Sequence, residues 1–119
     1  MNACLVEKDV EEFGRSALND FDQDVSNLPK DLCAPFFREA NRLEGKLTTI
    51  FQVVSRMARN EPDTGNVAKL WGAMAQLCHN AECRVAELAQ QHPHCGADYF
   101  FDRLHQLKSK CTRLQMMHS

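Results

Sequence analysis

The chain has 119 residues, 44% of them hydrophobic and 25% charged, with a formal net charge of -2 at neutral pH. That length and balance describe one ordinary folded domain over residues 1–119, able to bury a core without a structural metal, and they exclude a disordered chain. A near-neutral charge leaves no basic footprint for nucleic acid, and no apolar run is long enough to span a bilayer.

The start, Met1-Asn2-Ala3-Cys4-Leu5-Val6-Glu7, has no basic stretch followed by an apolar one. The expected setting is therefore cytoplasmic, and there the six cysteines are expected as free thiols, since the cytosol keeps thiols reduced.

Val6, Val10, Phe13, Ala17, Phe21 and Val25 recur at steps of three and four, which predicts a first helix over about 5–27 with these residues inward. Its charges are mainly acidic, namely Glu7, Asp9, Glu11, Glu12, Asp20, Asp22 and Asp24. Ser26-Asn27-Leu28-Pro29 ends it, because proline lacks a backbone donor and disfavours helical geometry in the residue before it.

A second helix over about 35–60 carries Phe36, Ala40, Leu43, Leu47, Ile50, Val54 and Met57 inward. Arg38, Arg42, Arg56 and Arg59 read as its solvated face, with Glu39 and Glu44 interleaved with the first two. Asn60-Glu61-Pro62-Asp63-Thr64-Gly65-Asn66 is a turn by composition, with Thr64 or Asn66 as the cap of the next helix.

The third helix, about 66–91, turns Val67, Leu70, Trp71, Met74, Leu77, Cys78, Ala81, Val85 and Leu88 to the core. Beside them runs a stripe of small residues, Ala68, Gly72, Ala75, Ala86 and Ala89, suited to close approach of another helix. After the break at His92-Pro93-His94-Cys95-Gly96, a fourth helix over about 97–117 offers Phe100, Phe101, Leu104, Leu107, Cys111 and Leu114. Its basic residues Arg103, Lys108, Lys110 and Arg113 would attract the acidic first helix if the two packed side by side.

Four long helices with short connections predict an all-α, antiparallel up-down-up-down four-helix bundle. In that topology the first and third connections share one end, so Cys33 meets His92, His94 and Cys95 there. Two thiolates and two imidazoles suit a tetrahedral zinc ion, which makes zinc the one cofactor to consider. A Cys33–Cys95 disulfide is a variant of the same convergence, and a polar loop with idle thiols is its structural alternative.

His79 and Cys83, one turn apart, point away from the apolar face and read as surface residues. Cys78 and Cys111 fall on core faces, where cysteine behaves as a small apolar residue. No Gly-rich phosphate loop, His-Glu-x-x-His, Glu-x-x-His or Cys-x-x-Cys-His occurs, so nothing marks an enzyme.

His105-Gln106-Leu107-Lys108-Ser109 resembles the phosphoacceptor motif of histidine phosphotransfer domains, four-helix proteins that read His-x-Leu-Lys-Gly. The resemblance implies phosphorylation of His105, with Lys108 neutralising the added charge. The chain departs from that family in having Ser109 for the glycine and only 14 residues after His105, where the family has two more helices.

The expected function is that of a non-enzymatic adaptor, chaperone or regulator acting on a protein partner through its helix faces, and itself a homodimer. The small-residue stripe and the flexible Met116 and Met117 support that expectation. The alternative is a metal-binding or thiol-redox protein using the Cys/His cluster.

Overall fold

A computed structural model describes residues 7–118, and they form four helices: α1 (Glu7–Val25), α2 (Cys33–Arg59), α3 (Thr64–Gln91) and α4 (Asp98–His118). Leu5 and Val6, expected at the start of the first helix, lie outside the described residues. The helices share one core, and the chain runs up-down-up-down: Asp20 meets Lys46 and Asp22 meets Arg84, while Lys108 meets Glu82.

Neighbour order around the bundle is not chain order. The tightest pair is α3 with α4, α1 packs on α2 and α3, α2 also touches α3 and α4, and α1 and α4 are not in contact. The cross-section is accordingly flattened, in a molecule of 50 × 28 × 16 Å, with α1 and α4 at opposite edges. The acidic and basic helices therefore do not neutralise one another. Instead α1 pairs with α2 and α3 through Asp24–Arg42, Asp20–Lys46 and Asp22–Arg84, while Arg103 and Lys108 of α4 reach Glu44 and Glu82.

Core positions follow the apolar spacing, with Phe13 the clear exception. Val10, Ala17 and Phe21 are buried as expected, but Phe13 is 51% exposed. The buried stripe of α1 passes through Gly14 and Leu18 instead, because the next core position one turn after Val10 falls at residue 14 and leaves residue 13 at the edge.

Capping of α3 also differs from expectation. Asp63 is the N-cap, accepting a hydrogen bond from the Gly65 amide at 2.9 Å. Glu39, expected on a solvated face, is only 5% exposed and held between Arg38 and Arg42, each 3.4 Å away.

Two glycines inside helices behave oppositely. A methyl on Gly14 would lie 2.5 Å from Leu77 Cδ1, so the glycine sets how closely α1 approaches α3. Gly45 has nothing within 4 Å of that position. We expect Gly14→Ala to lower stability by about 1–3 kcal/mol through overpacking, less what it gains in helix propensity. Gly45→Ala should raise it by roughly 0.5–1 kcal/mol, since alanine has less backbone freedom to lose. Urea unfolding of both variants checks this, and equal shifts of one sign would contradict it.

Candidate functional site

One end of the bundle is shaped by three local features of the chain. Leu28-Pro29 lies in the connection after α1 and keeps that helix from continuing, Pro93 prevents α3 from continuing, and Gly96 adopts φ +64°, a left-handed conformation that glycine takes without strain. The last of these turns the backbone between Cys95 and α4. As a result Cys33, in the first turn of α2, and Cys95 stand 5.1 Å apart at Cα and are joined as a disulfide, a separation in the usual range for such bonds.

The expectation of free thiols is thus wrong for this pair, because two loops that leave the same end of an up-down bundle bring their cysteines together. Cys78, Cys83 and Cys111 are free, and Cys4 lies outside the described residues.

Around the disulfide sits an aromatic cluster. Phe36 is fully buried, with ring centroids at 5.5 Å to His92, 5.8 Å to Phe37 and 6.0 Å to Phe100. His92 is 2% exposed, and its Nδ1 is buried with no hydrogen-bond partner. His94 is exposed.

The structure therefore gathers Cys33, Cys95 and His92 at one end, with His94 on the neighbouring surface. While the sulfurs are bonded to each other neither is a thiolate, and among the described residues no group of three metal-ligating side chains stands in metal-holding geometry. Of the four zinc candidates, only His92 has a donor atom that is buried and lacks a hydrogen-bond partner.

The other candidates fall elsewhere. His79 Nε2 and Cys83 Sγ touch at 3.8 Å on the exposed face of α3. Cys78 and Cys111 face each other across α3 and α4, both fully buried. The hydrogen bond that the Cys78 thiol donates to Cys111, with burial, pushes Cys78 far above its ordinary range, so it stays protonated and unreactive. His105 is 66% exposed, with Nδ1 3.6 Å from Glu82, and Lys108 is bound to that same carboxylate at 2.9 Å. The lysine that would neutralise a phosphoryl group is thereby engaged by an acid.

Two residues of the small-residue stripe already pack within the bundle. A methyl on Gly72 would meet Gln115 at 2.7 Å, and Ala75 packs against the core. Met116 and Met117 remain 70% and 72% exposed.

The outer face of α1 and α2 does not announce itself in the sequence. Phe13, Ser16 and Ala17 line one wall of a groove of about 620 Å3, and Gly45, Thr49 and Ile50 line the other. Val53, one turn beyond Thr49 on the same side of α2, is 38% exposed. The one signal in the sequence is Gly45, a glycine in the middle of an otherwise strong helix former.

No helix among the described residues is long and apolar enough to cross a membrane. The chain matches no protein-family model, no curated protein and no solved structure.

Proposed function

We propose that this bundle is a non-enzymatic interaction protein, working as an adaptor, chaperone or regulator, whose contact surface is the outer face of α1 and α2. The observation that carries this is Phe13, half exposed in mid-helix on the wall of the groove between α1 and α2. A large aromatic side chain left in water forgoes roughly 1 kcal/mol or more of burial. Gly45 adds to it, costing α2 about 1 kcal/mol with no packing need inside the chain. The cost at Phe13 is recovered if another surface covers the face, since buried aromatic anchors carry much of the energy of many interfaces, and Gly45 leaves room for that surface to approach.

A photo-crosslinking residue at Ser16, on the groove wall, tests this in living cells. The expected result is a crosslinked protein species that disappears when Phe13→Ser is added and the helical circular dichroism is unchanged. Crosslinking to no protein would refute the reading.

A second reading rests on the unpartnered His92 Nδ1. In the cytoplasm, a dithiol reductant would open the Cys33–Cys95 bond by transferring two electrons and two protons, becoming a disulfide itself. The two thiols so released, deprotonated beside His92, offer zinc three ligands, with His94 or water as the fourth. The reduced protein should then bind one zinc ion per chain by native mass spectrometry, the oxidised protein none, and His92→Phe should abolish binding. Equal zinc uptake in both redox forms would remove this reading.

Location bears on the same bond. A cytoplasmic setting implies that it opens and closes, whereas an oxidising compartment implies a permanent staple. Thiol trapping of Cys33 and Cys95 in intact cells separates the two.

A further inference from the structure

We infer that the occupant of the α1/α2 face is a second copy of this chain, docked about a two-fold axis parallel to the helices; this rests on the interaction reading above. Charge and register both point to it. From Glu7 to Val25, α1 carries seven acidic residues against Lys8 and Arg15, whereas α2 carries Arg38, Arg42, Lys46, Arg56 and Arg59 against Glu39 and Glu44. Of the charged residues lining the groove, Asp20 stands on α1 and Arg42 and Lys46 on α2, so the two walls are of opposite sign; within the chain Asp20 pairs with Lys46 and Asp24 with Arg42, and a second copy at the same level extends these pairs into a network.

Two symmetric stackings of such faces keep the helices of the two copies aligned. An axis perpendicular to the helices and lying in the interface lays α1 on α1 and α2 on α2, which sets acid on acid and base on base. An axis parallel to the helices lays the α1 of each copy on the α2 of the other, so that both contacts are attractive. Like charges held close are disfavoured and unlike ones favoured, so the second arrangement is selected.

Register then fixes what meets. The ion pairs Asp20–Lys46 and Asp24–Arg42 set the antiparallel alignment of α1 and α2. Carried along both helices, it puts Ser16 level with Ile50 and Phe13 level with Val53. A parallel two-fold keeps levels unchanged. Phe13 of each copy is thus set over Val53 of the other, with Gly45 leaving room for backbone approach on the same wall. The two exposed apolar side chains of this face, Phe13 at 51% and Val53 at 38%, cover each other. The contact is isologous, as closed dimers require, and leaves no open end for further growth.

The test uses the purified full chain, with Cys83→Ser and Cys4→Ser added to remove competing thiols. Two single variants, Ser16→Cys and Thr49→Cys, are mixed and oxidised gently. The expected product is a disulfide-linked heterodimer of the two variants, formed in preference to either homodimer.

Analytical ultracentrifugation should show a dimer whose dissociation constant rises at least tenfold with Phe13→Ser, and rises with added salt as surface ion pairs are screened. A predominance of Ser16→Cys homodimers would overturn the proposed axis. A chain that stays monomeric at 100 μM, on the order of a weak dimer's working range, would overturn self-association altogether. If that monomer still crosslinks to another protein in cells from position 16, the interaction reading survives and the second-copy proposal is refuted.

Discussion

Replacing Cys33 and Cys95 together by alanine is expected to cost about 4 kcal/mol. The bond closes a loop with a sequence separation of 62 residues, and the chain-entropy cost for a loop of that size is about 4 kcal/mol, mostly through restriction of the unfolded chain. Net stability of such a domain is only about 5–15 kcal/mol, so the loss should lower the melting temperature by on the order of 15 °C. The mechanism has a separate signature. Without the link the unfolded chain expands and exposes more surface, so the urea m-value should rise as the midpoint falls. A midpoint unchanged by dithiothreitol would mean that the sulfurs are not bonded in the folded protein.

Phe36→Ala is expected to cost about 3–5 kcal/mol, the range for deleting a large buried aromatic. Phe36 is fully buried and is the hub of the ring cluster formed with Phe37, His92 and Phe100. It also stands one turn after Cys33, beneath the disulfide. Its removal leaves a cavity that α2 and α4 cannot close, because the disulfide holds the start of α2 to the loop before α4. For the same reason the effects should not add: with Cys33 and Cys95 already replaced, the end of the bundle can relax and Phe36→Ala should cost measurably less. Chemical unfolding of the four proteins in this cycle reads that coupling directly, and strict additivity would show that the cluster and the bond act independently.

Phe13 shows where side-chain spacing loses its hold on the core. A three-then-four pattern places this residue inward, yet Gly14 one position later is what lies against Leu77. A glycine has no side chain to register as apolar, so the pattern assigns the core position to its aromatic neighbour. The same blindness hides the groove, whose other wall is marked by Gly45. Glu39 escapes periodicity for a related reason: its burial follows from the approach of neighbouring helices around α2, which no spacing within α2 reports.

Four helices, their approximate ends and their antiparallel order were determined by the sequence itself, because apolar spacing, proline breaks and short connections are local properties of the chain. The convergence of Cys33, His92 and Cys95 at one end was legible too, since it follows from the order of connections. Whether those cysteines joined, which helices became neighbours and which apolar residues stayed in water were decided only by the tertiary structure. Those outcomes depend on distances between segments far apart in sequence: 5.1 Å between two Cα atoms 62 residues apart, and a flattened cross-section that separates acidic α1 from basic α4. Such distances are set by how all four helices pack at once, so no single stretch of the chain encodes them.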